Sequence, residues 1–117
     1  RDVEQQFAVD PEADRVDRDY FRALIEGIAP NREALDLRLS GLCEIPPQEL
    51  DPIEHAVLWL GLHELQSCPE LPYRVALAEA VQLTKQFGAT DGYKFVNAVL
   101  DRAAQESRPH EYGRPAE

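Results

Sequence analysis

The run DPIEHAVLWLGLHEL, Asp51 to Leu65, constrains the fold more than any other stretch of this chain. It opens with a strong helix-start signal. Asp51 is placed to cap, Pro52 occupies the first helical position, and Glu54 stands at the third, from which it can reach back to the cap. From Ala56 to Leu65 the segment is then apolar almost all round, and a helix of that kind has to be surrounded by other elements. Burying Val57, Leu58, Leu60, Leu62 and Leu65 at about 1.5 to 3 kcal/mol each makes it the largest single contributor to a core. Gly61 lets a neighbouring helix come close. The fold class that follows is all-α, a compact bundle of about six helices with this segment as its central post.

The remaining segments supply the helices around it. Val3, Phe7 and Ala8 share a face within residues 1–9, as at the end of a longer helix, and residues 10–14 form a loop with Pro11. Val16, Tyr20, Leu24 and Ile28, with Phe21 and Ile25 beside them, mark an amphipathic helix that Pro30 ends. Asn31 is a good N-cap for a segment with Leu35, Leu39 and Leu42 at helical spacing, and Gly41 marks the approach of its end. Pro46 and Pro47 separate this segment from the central helix, and Pro69 and Pro72 bracket the loop that leaves it. Residues 1–107 read as one domain, as suits a chain of 117 residues. Residues 108–117, RPHEYGRPAE, carry no apolar period and read as a disordered tail.

Between Pro72 and Asp101 the sequence predicts two helices folded back on each other. Leu77, Ala80, Val81, Thr84 and Phe87 form the buried stripe of the first. Gly88 stops it at positive φ, just after Lys85. Thr90 or Asp91 accepts from the free amides of the second, whose stripe is Val96, Val99, Leu100 and Ala103. Asp91, Lys94, Phe95 and Ala98 recur at i, i+3, i+4 and i+7, which groups an acceptor, a cation and a ring beside that stripe. A ring stacks on a nucleobase for roughly 1 to 3 kcal/mol, a lysine reaches phosphate, and a carboxylate accepts from a base amino group, so the group suits single-stranded RNA. The same residues also admit a purely structural account, with Asp91 as helix cap, Lys94 solvated and Phe95 packed on Val99.

Charge limits what else the chain can do. Twelve basic and twenty-two acidic residues give a net charge of -10, which argues against sequence-independent binding to nucleic acid. Residues 1–71 hold six basic and sixteen acidic side chains, whereas residues 72–117 hold six of each. Any RNA contact therefore falls to the C-terminal half. Cys43 and Cys68 are isolated and indicate neither a zinc site nor a disulfide framework, so a reducing cytoplasm is the expected compartment. No metal or other cofactor is expected. His63-Glu64 begins like a metalloprotease motif, but the fifth position is Ser67, which leaves His63 as a half-buried helix residue. No phosphate loop, nucleophile elbow or catalytic triad can be assembled, and a non-enzyme is the reading that remains.

PYRVALAEAVQLTKQFG followed by DGYKFVNAVLD resembles the C-terminal half of the NusB family of bacterial transcription antitermination factors, whose usual wording is close to PYKVAINEAVELAKxFG and KFVNGVLD. The likeness continues backward through LDPIEHAVLWLGLHEL and DYFRALIEG. It implies an all-helical RNA-binding adaptor without catalytic activity, which binds boxA RNA together with the ribosomal protein NusE within the RNA polymerase antitermination complex. On that pattern Asp91, Lys94, Phe95 and Asn97 fall on RNA-contacting positions. Asn97 also suits a polar face residue bonding to a nearby loop. Glu54 falls near the partner and RNA surface, and Arg74 stands where the family usually has lysine, able to contact a partner or a phosphate. This chain departs from the pattern at Trp59, His63, Ala78 and Ala98, where arginine, tyrosine, asparagine and glycine are common. It also begins at Arg1, after the arginine-rich segment and first helix expected of the family. Two other readings keep the fold and change the role: the RNA-binding domain of a ribosomal RNA methyltransferase, and a structural module that dimerises through apolar surface the first helix would cover.

Overall fold

The computed structural model describes residues 19, 22, 23 and 25–112. The expected helical end at residues 1–9, the loop at 10–14 and most of the helix from Val16 lie outside them. Among the described residues the regular structure is entirely helical: α1 (Arg32–Leu42), α2 (Pro52–Ser67), α3 (Tyr73–Phe87) and α4 (Gly92–Ser107), with short 3-10 turns at Ala29–Asn31 and Pro47–Glu49.

Helices α2, α3 and α4 pack on one another, and α1 lies against α2 and α4. The core is drawn from one face of each. Leu35, Leu39 and Leu42 come from α1, and Val57, Leu58, Leu62 and Leu65 from α2. Tyr73, Ala76, Leu77 and Ala80 come from α3, and Val96, Val99, Leu100, Ala103 and Ala104 from α4. The apolar run of α2 is buried as its composition requires, with Val57, Leu58 and Leu62 at 0% exposure. Gly61 meets α4 so closely that a Cβ there would stand 2.5 Å from Leu100 Cδ1. On α3, Leu77, Ala80 and Thr84 are buried, while Val81 and Phe87 are half-buried. Thr84 satisfies its buried hydroxyl by donating to the Ala80 carbonyl at 2.8 Å.

Three helix ends differ from expectation. Pro30 does not end the helical path, because the backbone tightens into the Ala29–Asn31 turn, where a missing proline N–H costs little, and continues into α1. Asn31 accordingly makes no side-chain cap. Gly88 has φ of -104° and ψ of -172°, an extended backbone that needs no glycine. Space is what selects it, since a Cβ would stand 2.9 Å from the Thr84 carbonyl oxygen. Asp51, by contrast, caps α2 as its position predicts, accepting from the amides of Ile53 at 3.0 Å and Glu54 at 3.2 Å.

Side chains from neighbouring elements finish the other ends. Arg38 of α1 donates to the Ala103 carbonyl at 3.3 Å and to Ser107 Oγ at 3.0 Å, near the end of α4, and Arg102 of α4 donates in return to the Leu42 carbonyl at the end of α1. Asp36 joins α1 to α2 by accepting from Trp59 Nε1 at 2.8 Å and lying 2.6 Å from His55 Nε2. Trp59 thus stands in a structural contact between α1 and α2. His63 is half-buried, as its place on α2 predicts.

The stretch after Ser107 is a correction to the disordered tail. Residues 108–112 fold back over the bundle, and only residues 113–117 lie outside the described part. Arg108 donates to the carbonyls of Leu65 at 3.0 Å, Cys68 at 3.0 Å and Glu64 at 3.4 Å, closing the end of α2. Glu111 accepts from the first amide of α3, Tyr73 N, at 2.9 Å and pairs with Arg108 at 2.6 Å. Tyr112 donates to Asp101 at 2.8 Å and rests its ring 5.3 Å from that of Tyr73. A Pro- and Gly-containing composition hides these contacts because all but the Arg108–Glu111 pair are made to residues on other elements.

Candidate nucleic-acid interface

The loop between α3 and α4 brings three helix ends together. Ile53 lies against Gly88, and the Glu54 carboxylate lies against Gly92, the first residue of α4. The start of α2 therefore shares an edge with the start of α4 and the end of α3. A Cβ at Gly92 would collide with Glu54 Oε2, so a side chain there would have to push the Glu54 carboxylate out of its place. Glu54 is half-buried in this junction rather than turned back to its own cap. Burial pushes its carboxyl above the ordinary carboxylate range, and the nearby Asp51 charge adds to the effect.

On the outer side of the junction stand the residues singled out by spacing. Asp91 occupies the cap position of α4 but makes no side-chain cap bond. Its φ of -109° and ψ of 13° continue a turn instead of the extended geometry from which a capping carboxylate reaches its amides. It faces Lys94 instead, with Nζ 3.9 Å from Oδ1, and the two side chains are 74% and 67% exposed. A pair so open to solvent is weak and separates easily. Phe95 is half-buried: its ring packs against the core cluster and leaves part of itself on the surface. Asn97 is exposed and makes no side-chain hydrogen bond among the described residues, which removes the loop contact that would have explained it structurally. Ala98 is exposed on the same side.

Arg74 does not join this group. Being at the start of α3, it sits at the far end of the hairpin, where its guanidinium lies 5.3 Å from the Tyr73 ring centroid. The length of α3 separates it from the α3–α4 loop by roughly 20 Å at 1.5 Å per residue. Two residues that spacing did not single out do join it. Lys85, at the end of α3, places Nζ 4.6 Å from the ring centroid of Tyr93 in the first turn of α4. No periodicity pairs residues across a loop, so only the packed hairpin reveals this contact.

Arg102 and Arg108 contribute nothing to such a surface, because both are spent on helix carbonyls. Among the described residues of the C-terminal half, the exposed lysines Lys85 and Lys94 stand at the loop end and the exposed Arg74 at the opposite end, on a chain of net charge -10. Among the described residues no group of acidic, histidine or cysteine side chains could hold a metal ion. No helix among them is long and apolar enough to cross a membrane.

The surface at the start of α4 thus carries a half-exposed ring and a loosely paired lysine, on a chain that is similar to known proteins over most of its length. The chain is 49% identical over 110 residues to the transcription antitermination protein NusB of Methylobacillus flagellatus, covering 94% of this chain and 71% of the relative. The NusB protein of Hahella chejuensis is 44% identical over 109 residues, 93% of this chain and 73% of its own. That of Idiomarina loihiensis is 44% identical over 108 residues, 92% of this chain and 78% of its own. The model of the NusB family matches residues 2–105, which takes in α1 to α3 and nearly all of α4, and the chain belongs to that family.

Proposed function

We propose that this chain is a transcription antitermination factor that works as a non-catalytic adaptor, holding boxA RNA together with the ribosomal protein NusE in the antitermination complex. Relatives named as antitermination proteins support the general role. The observation that carries the RNA contact is the state of Phe95: anchored in the core on one side, open on the other, and flanked by an exposed Lys94–Asp91 pair. A ring fixed in this way loses little freedom when a base stacks on it. Lys94 can leave Asp91 for a phosphate, which frees the Asp91 carboxylate to accept from a base. Asn97 supplies a further donor and acceptor one turn along. Glu54, beneath the same edge, acts at the junction of RNA and partner, and Arg74 at the opposite end of the hairpin serves the protein partner. Such a role belongs in the cytoplasm.

The test is a titration of single-stranded boxA RNA, with and without NusE. Binding is expected to be weak for the chain alone and tighter with NusE present. Phe95→Ala should weaken the ternary complex roughly 5- to 150-fold, the range set by one stacked base. Full binding by both Phe95→Ala and Lys94→Ala would remove this surface from the account.

A further inference from the structure

We propose that the RNA-contacting surface crosses the start of α4 onto the end of α3, with Tyr93 as a second base-stacking ring and Lys85 as a second phosphate-contacting cation. This extension rests on the reading of the site given above.

Its basis is the order of side chains round the first turn of α4. Successive residues of a helix are about 100° apart. Lys94 therefore stands between Tyr93 on one flank and Phe95 on the other, and the three form a band of ring, cation and ring round the exposed half of the helix. Both rings are half-buried, so each is anchored and partly open. Phe95 packs against the core, whereas Tyr93 lies towards α3, held 4.6 Å from Lys85 Nζ. Lys85 itself is exposed, and no carboxylate among the described residues stands within ion-pair distance of it. On a chain with ten more acidic than basic side chains, a lysine left with an aromatic ring as its partner is an uncompensated positive point. A strand laid across α4, from the Glu54 edge over Lys94 to Lys85, meets two stacking surfaces separated by a cation and ends on another cation. That sequence of contacts repeats the base and phosphate pattern of an unpaired strand.

The experiment measures binding of a single-stranded boxA RNA oligonucleotide to the chain with NusE, at several salt concentrations, for Lys85→Ala, Tyr93→Leu and Tyr93→Phe beside Phe95→Ala. Lys85→Ala should weaken binding several-fold and reduce the slope of log affinity against log salt by about 0.7, the value for one phosphate on a single strand. Tyr93→Leu should weaken binding roughly fivefold or more, while Tyr93→Phe keeps it, because a base stacks on the ring and not on the hydroxyl. Wild-type affinity and slope in Lys85→Ala and Tyr93→Leu, with loss in Phe95→Ala, would overturn the extension and leave the proposed function standing. Unchanged binding in all of them would defeat both. Loss of NusE affinity without RNA, at unchanged RNA affinity, would assign Lys85 and Tyr93 to the protein partner and overturn the extension. Should Tyr93→Leu fail to fold, as circular dichroism would reveal, the salt slope of Lys85→Ala decides.

Discussion

A methyl group added at Gly61 and one added at Gly41 should shift stability in opposite directions, although both glycines lie within helices. At Gly61 the new Cβ would stand 2.5 Å and 2.9 Å from the two terminal carbons of Leu100, a side chain at 0% exposure. Overpacking of this kind costs about 1 to 3 kcal/mol, which exceeds the gain of roughly 1 kcal/mol from replacing a helical glycine by alanine. Gly41 is exposed and a Cβ there meets nothing within 4 Å, so the same propensity gain stands unopposed. Gly61→Ala is therefore expected to lower the thermal midpoint and Gly41→Ala to raise it slightly, as calorimetry can measure. Gly92→Ala forms a third case, since its Cβ collides with the Glu54 carboxylate and not with a packed core. Displacing Glu54 from the junction should weaken the RNA–NusE complex more than it lowers the thermal midpoint, a comparison open to titration and melting of one preparation.

At the scale of the element, helix ends decide more than helix interiors. Arg108 closes α2 by bonding three carbonyls, and hydrogen bonds of a charged donor contribute about 1.5 to 3 kcal/mol. Arg108→Ala should lower the urea midpoint accordingly with little change in m-value, and Arg108→Lys should restore only part, because an ammonium cannot span the carbonyls a guanidinium fork reaches. The same end of α2 sets a pH dependence. Glu64 is pushed up to about 7 by burial, by the Glu79 charge and by their hydrogen bond. Its folded form thus binds a proton more tightly than its unfolded form. The stabilisation is complete below the ordinary glutamate value near 4.5 and is lost as pH rises from there to about 7. Glu64→Gln should consequently be near neutral at pH 5 and stabilising at pH 8 in urea denaturation. Glu111 acts in the opposite sense. Its bond from the Tyr73 amide, with help from Arg108, holds the carboxyl below the ordinary value, so its contribution disappears as pH falls below about 4.5.

For the whole molecule, charge makes salt act in two directions. With a net charge of -10 the folded chain repels itself, and added salt screens that repulsion and stabilises it. RNA binding should weaken over the same range, but with a shallow slope. Lys94 and Lys85 neutralise about two phosphates, for a slope of roughly -1.4 on a single strand. A much steeper slope, measured by titration at graded salt, would mean that cations elsewhere hold the RNA. Arg38, Arg102 and Arg108 do not serve here because they are committed to helix carbonyls.

Periodicity alone determined that the chain is an all-helical bundle, that α2 is its post and that the stripes of α1, α3 and α4 face inward, because burial of apolar surface follows from spacing along one helix. The Asp51 cap was legible for the same reason, its partners being two and three residues away. Spacing also grouped Asp91, Lys94 and Phe95, since a single turn of helix brings them together. Only the tertiary structure decided what crosses between elements. Glu54 fills the room left by Gly92, Lys85 lies over Tyr93, Arg74 is set apart at the far end of the hairpin, and residues 108–112 close two other helices. Those contacts join residues with no fixed separation in sequence, and they depend on where the packed core places the beginning and end of each helix.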